Sequence, residues 1–132
     1  MRPEDFTHMV ESDRAVRQAL VSVWKAALAA GWVVVGDYDL SSLFATDEHT
    51  WDVKSIDICR PDLARPFVAA EPLTALCMPC SILIYADGAV TKLAAMRPQI
   101  VLPQLFADAA QEVGDLPARV DDELRLILEA AR

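Results

Sequence analysis

The sequence predicts an α+β fold: a two-layer sandwich in which a mixed or antiparallel sheet of four to five strands carries helices on one face. Three observations lead there. An amphipathic stretch near the N-terminus runs into a β-branched segment. Residues 80–96 form two apolar runs joined by Asp87-Gly88. The last third of the chain has helical apolar spacing between prolines. At 132 residues, residues 1–132 are expected to form a single α+β domain. Such a chain hides roughly two-thirds of its unfolded surface and needs no disulfide or metal to hold its core.

Each element has a local reason. Phe6 to Val10 alternates through Phe6, His8 and Val10 and reads as a short opening strand. Asp13 to Ala30 reads as a helix. Val16, Leu20, Val23, Trp24, Ala27 and Leu28 make one stripe, Ser12 is placed to cap the start, and Gly31 suits a left-handed residue at the end. Trp32 to Leu40 is a strand, with Gly36 marking a bulge. Ser41 to Thr50 is a polar loop. Trp51 to Cys59 is the next strand, and its change of apolar phase between Val53 and Ile56 suggests a second bulge. Pro61 to Ala70 suits a short helix that Pro66 should kink or split.

The hairpin is the clearest unit. Asp-Gly is a strong two-residue loop signal, and it sets Ala86 opposite Ala89, Ile84 opposite Thr91 and Ile82 opposite Leu93. Alternation puts Cys80, Ile82, Ile84, Thr91, Leu93 and Ala95 on a uniformly apolar face, expected under the helices. Ser81, Leu83, Tyr85, Val90, Lys92 and Met96 take the other face. Helices are expected over roughly 99–113 and 117–131. The second carries Val120, Leu124, Ile127 and Ala131 on one stripe and Asp121, Asp122 and Glu123 on its polar side, with Asp115 as its cap.

Charge and chemistry narrow the function classes. The net charge is −8, from 20 acidic and 12 basic residues, with the basic ones scattered. Phosphate backbones and anionic membranes are bound by clustered cations, so neither nucleic acid nor membrane is an expected partner. No apolar run reaches the ~20 residues of a membrane span, and the charged N-terminus leads into no apolar signal region, so the cytoplasm is the expected compartment. Cys59, Cys77 and Cys80 are then reduced thiols, not a disulfide framework.

Cys77-Met78-Pro79-Cys80 is the one compact motif with reactive potential, as a redox pair or half of a zinc site. It opens a strand, however, and so lacks the helix N-terminus that activates such thiols. The plainer reading makes Cys80 a small buried apolar residue. Cys77, Cys80, Cys59 and His49 are the candidate metal ligands, but their spacing matches no common zinc motif, so no metal or cofactor is expected. His8 reads as a surface or satisfied side chain. Asp37 and Asp39 share a strand face and read as a solvated edge, although with His49 they could serve acid–base chemistry. Trp24, Trp32 and Trp51 could floor an apolar pocket. No glycine-rich phosphate loop or nucleophile elbow is present.

Three segments together carry a resemblance: Ile58-Cys59-Arg60-Pro61-Asp62-Leu63-Ala64, then Met78-Pro79-Cys80-Ser81-Ile82-Leu83-Ile84-Tyr85, then Ala94-Ala95-Met96-Arg97-Pro98. In order and spacing they are similar to the bacterial family called domain of unknown function 302. That family has a Cys-x-Pro-x-Leu-Ala step, a Leu-Pro-Cys opening to a hairpin and a Met-x-Pro step into C-terminal helices. The resemblance spans about residues 5 to 131 and implies a compact α+β fold and frequent homodimers, with no assigned chemistry. Pro66, Pro103, Gly114 and Pro117 depart from its pattern, and Cys77 has no counterpart in it.

The expectation is therefore a homodimeric binding or interaction module with a small apolar cavity, pairing through the hairpin sheet face. Cys59, Cys80, Tyr85 and Met96 are its candidate ligand-binding residues. The alternatives are a thiol-redox or metal-binding protein using Cys80 with Cys59 or Cys77, and a small hydrolase or isomerase using His49.

Overall fold

The computed structural model describes residues 1–132. A helical turn, α1 (Pro3–Phe6), leads into β1 (Thr7–Ser12), then α2 (Val16–Ala29), β2 (Val33–Asp39), a turn α3 (Ser41–Phe44), β3 (Val53–Cys59) and α4 (Pro61–Ala70). A 3-10 helix (Pro72–Cys77) precedes the hairpin of β4 (Cys80–Asp87) and β5 (Val90–Met96). The chain closes with α5 (Pro98–Leu105), α6 (Ala107–Glu112) and α7 (Leu116–Ala131). The strands form one five-stranded sheet in the order β1-β5-β4-β3-β2, and every neighbouring pair is antiparallel. Helices α2 and α7 pack on each other and on one face of it. The α+β class and its one-sided helical layer match the expectation, and the sheet is antiparallel throughout.

The core lies between these layers. Ile56, Ile58, Ile82, Ile84 and Leu93 of the central strands are fully buried against Val23 and Ala27 of α2 and Leu124, Ile127 and Leu128 of α7. Period-two alternation in the strands meets a helical stripe here, which is why α7 buries Val120, Leu124, Ile127 and Ala131 together.

The hairpin faces are as expected, but its register differs. Asp87 pairs with Val90, Ile84 with Leu93 and Ile82 with Ala95. The loop is therefore Gly88-Ala89. Only Gly88 has positive φ, +61°, the pattern of a type II′ turn with glycine first. Asp87 stays in the strand, where its carboxylate meets Lys92 Nζ at 2.7 Å. The slip is two residues, an even number, so no side chain changed face.

Other differences have local causes. Ser12 is the buried last residue of β1. Its Oγ accepts from Arg14 N at 3.1 Å and so shapes the turn before α2, whose first residue is Val16. Asp115 makes no side-chain cap on α7. The bulge in β2 lies between Val34 and Gly36, as expected. β3 keeps an unbroken register with β4, so no second bulge exists there. Its change of apolar phase arises because Val53, on the helix-free face, is buried in a cleft with Phe44 and Trp51. Helix α4 runs through Pro66 without a break. The proline removes a single bond, to the carbonyl of Asp62 in the exposed first turn. The segment from Gln99 to Val113 divides at Phe106, which leaves helical geometry and packs against the core.

Candidate functional site

An apolar cavity of about 210 Å³ lies where the ends of β3, β4 and β5 meet α4, α5 and α7. Cys59 and Arg60 reach it from the end of β3, Leu63 and Phe67 from α4, Cys77 from the 3-10 helix and Cys80 from the start of β4. Met96 and Pro98 reach it from the step between β5 and α5. The three segments singled out in the sequence thus converge on one cavity. The reason is topological. Antiparallel neighbours alternate in direction, so the end of β3 lies beside the start of β4 and near the end of β5.

All three cysteines are free and partly buried. Burial pushes the Cys80 thiol up to about 12 from an ordinary 9.0, and the neighbouring Cys59, Cys77 and Asp57 add to the shift. Burial also raises the Cys59 thiol. Both effects favour the protonated thiol, which is neither a good nucleophile nor a ready metal ligand. No group of three or more His, Cys, Asp or Glu side chains is arranged to hold a metal ion.

Arg60 is the one charged residue of the cavity wall. Its Nη1 donates to Glu123 Oε1 at 2.6 Å and its Nε to Asp62 Oδ1 at 3.1 Å. The other oxygen of Glu123 accepts from Trp32 Nε1 at 2.7 Å. Glu123 thereby ties α7 to the residues before β2 and after β3. The hydrogen bond from Arg60 to Glu123 is also the main reason that the guanidinium is held above its ordinary pKa. A second polar group lies nearby on α7. Asp121, only 4% exposed, has Oδ2 3.0 Å from His8 Nε2 and 3.3 Å from Arg97 Nη2, and Oδ1 3.4 Å from Arg97 Nε. The polar side expected for Asp121 and Glu123 is therefore an interior one, and only Asp122 of the three stays at the surface, bonded to Arg125. The missed signal was helical spacing: Asp121 stands three residues before Leu124 and seven before Leu128, on the buried stripe.

Of the candidate ligand-binding residues, Cys59, Cys80 and Met96 line this cavity together. Tyr85 does not. It lines a shallower cleft on the helix-free face with Phe44, Trp51 and Leu83. His49 is exposed on the loop between β2 and β3, where its ring meets Trp51 edge-on at 4.1 Å. Its hydrogen bonds run through its backbone to Thr46, and none joins it to Asp37, Asp39 or a cysteine. Asp39 instead accepts from Ser41 N at 3.0 Å and pairs with Lys54 at 3.2 Å. Trp32 is on the cavity wall, Trp51 is in the cleft, and Trp24 is exposed on α2.

The family described as "Domain of unknown function DUF302" matches residues 8–131. The chain belongs to the DUF302 family. A crystal structure of an uncharacterized conserved DUF302 protein from Bacillus stearothermophilus is similar to it, with a TM-score of 0.84 and 15% sequence identity. That match covers 96% of this chain and 98% of the other. At that identity the likeness establishes the fold of this DUF302 domain. No curated protein matches the chain. No helix is long and apolar enough to cross a membrane.

Proposed function

We propose that this DUF302 domain is a binding module that takes a small, largely apolar molecule into the cavity between Cys80, Phe67 and Met96, and that it works as a homodimer. The observation that carries the reading is the convergence of all three family-like segments on that cavity. Small-molecule sites are concave and mostly apolar, with few polar groups, and Arg60, Ser81 and the Trp32 indole are the main polar groups here. The dimer is supported by the face without helices. It exposes Met9, Leu83 and Val90 beside Tyr85 and Trp51, an apolar surface that a two-fold copy would cover.

The thiol-redox and metal alternatives fit less well, because burial holds Cys80 protonated. The hydrolase alternative lacks its pairing, because no hydrogen bond joins His49 to Asp37 or Asp39, and Asp39 is taken by Ser41 and Lys54. Trp32 on the wall supplies the assay. Titration with p-xylene should change its fluorescence saturably, and Ala64→Phe, which fills the cavity, should abolish the change. Sedimentation should give twice the 14.5 kDa chain mass. No saturable response would remove the binding reading, and a monomer across micromolar concentrations would remove the dimer. Iodoacetamide modification of native Cys80 as fast as of a free thiol would restore the redox alternative.

A further inference from the structure

The cavity wall holds an unusual share of the chain's sulfur. All three cysteines and Met78 and Met96, two of the four methionines, line it, together with Trp32 and Phe67. Thioethers and thiols are polarizable and make favourable contacts with aromatic rings, most often at the ring edge. Aromatic walls add offset and edge-to-face contacts. An aliphatic chain would gain little from sulfur that leucine could not give, whereas an aromatic ring gains a specific contact.

The wall is also specific about charge. Arg60 is its single cation, already matched by Glu123 and Asp62. Asp57 lies close enough to act on the Cys80 thiol, and its Oδ1 accepts from Ser81 Oγ at 2.6 Å. Two carboxylates thus already neutralise the one guanidinium, in a chain of net charge −8. A ligand carboxylate would meet this excess and be desolvated beside it. Yet Arg60 Nη2 has no protein acceptor, since only Nη1 and Nε are engaged. That N–H is open to solvent, since no buried side-chain donor is left unpaired, and a ligand's uncharged oxygen can take the water's place without adding negative charge.

The geometry points to an uncharged aromatic molecule bearing one hydrogen-bond acceptor, its ring among the five sulfur side chains and its acceptor on Arg60 Nη2, as the ligand class of this cavity. This rests on the proposed binding role. The volume of about 210 Å³ admits a single ring with a short substituent, on the order of ten non-hydrogen atoms.

The test is a matched titration of the wild-type protein, followed by Trp32 fluorescence and calorimetry, with phenylacetamide, phenylacetate, cyclohexylacetamide and p-xylene. Phenylacetamide should bind at least ~10-fold more tightly than phenylacetate and than cyclohexylacetamide. Arg60→Gln should abolish the preference for phenylacetamide over p-xylene while p-xylene still binds, which shows that the variant keeps its cavity. If Arg60→Gln fails to fold, the four-ligand comparison on the wild type decides alone. Binding of p-xylene with equal affinities for amide and carboxylate would overturn the neutral-acceptor assignment. Equal affinities for the aromatic and cyclohexyl amides would overturn the ring assignment. Binding of none of the four would instead overturn the cavity-binding role on which both stand.

Discussion

Replacing Asp121 by alanine tests how far the fold depends on one interior carboxylate. Its side chain is only 6% exposed, and it joins α7 to β1 through His8 and to the start of α5 through Arg97. Losing one partner of a buried pair costs ~3–5 kcal/mol when the other is stranded. Here the strandedness is partial. Arg97 keeps 30% of its side chain exposed, its two bonds are long at 3.3 and 3.4 Å, and it can rehydrate. His8, at 14%, is the more confined partner. A hydrogen bond to a charged group contributes ~1.5–3 kcal/mol, so one strong and two weak bonds place Asp121→Ala at a loss of about 2–3 kcal/mol. For a chain of 132 residues that lowers Tm by roughly 7–11 °C. Asp121→Asn keeps the shape and part of the bonding, and should lose about half as much. Urea unfolding of both variants reads the values. A double-mutant cycle with His8→Ala should give a coupling near ~1 kcal/mol, because either change removes the same contact. If Asp121→Ala stays within ~0.5 kcal/mol of the parent, or if the two substitutions are strictly additive, the tethering role is wrong.

The remaining expectations are briefer. Because the Cys80 thiol is raised to about 12 from 9.0, the native state holds a proton that the unfolded chain releases. Its contribution is complete below pH 9 and is lost as pH rises from there toward 12, by ~1.4 kcal/mol per unit. The parent should lose about 1 kcal/mol more stability than Cys80→Ala between pH 9 and 10, where the unfolded thiol is still only partly ionised at the start, and parallel curves would contradict the burial argument. Ile84→Ala, at a fully buried site of the central strand, should cost ~2–5 kcal/mol in urea unfolding, whereas Leu83→Ala on the opposite face should leave monomer stability nearly unchanged. Gly88→Val should destabilise by ~1–2 kcal/mol, because only backbone strain at φ +61° opposes it and no atom lies within 4 Å of the added Cβ. Gly88→Asn should cost less.

What was legible in the chain was whatever depends on neighbours in sequence. The hairpin, its two faces, the α7 stripe and the β2 bulge follow from periods of two and 3.6 residues and from glycine, and these survived even a two-residue error in register because an even slip preserves the faces. The three segments that mark the family were equally visible as short motifs. Contacts between distant positions were not. That Asp121 and Glu123 turn inward depends on His8, Arg97, Arg60 and Trp32, which lie 24 to 113 residues away along the chain. A carboxylate's sequence neighbours do not reveal whether a distant arginine will reach it. The same holds for the cavity. Cys59, Cys80 and Met96 meet because antiparallel pairing folds their strand ends to one side of the sheet, and Tyr85, five residues from Cys80, is carried by that same strand toward the other end. Local pattern decided the elements and their inward faces. Long-range packing alone decided which polar groups are interior and which side chains share a site, because burial and pairing are properties of the assembled layers.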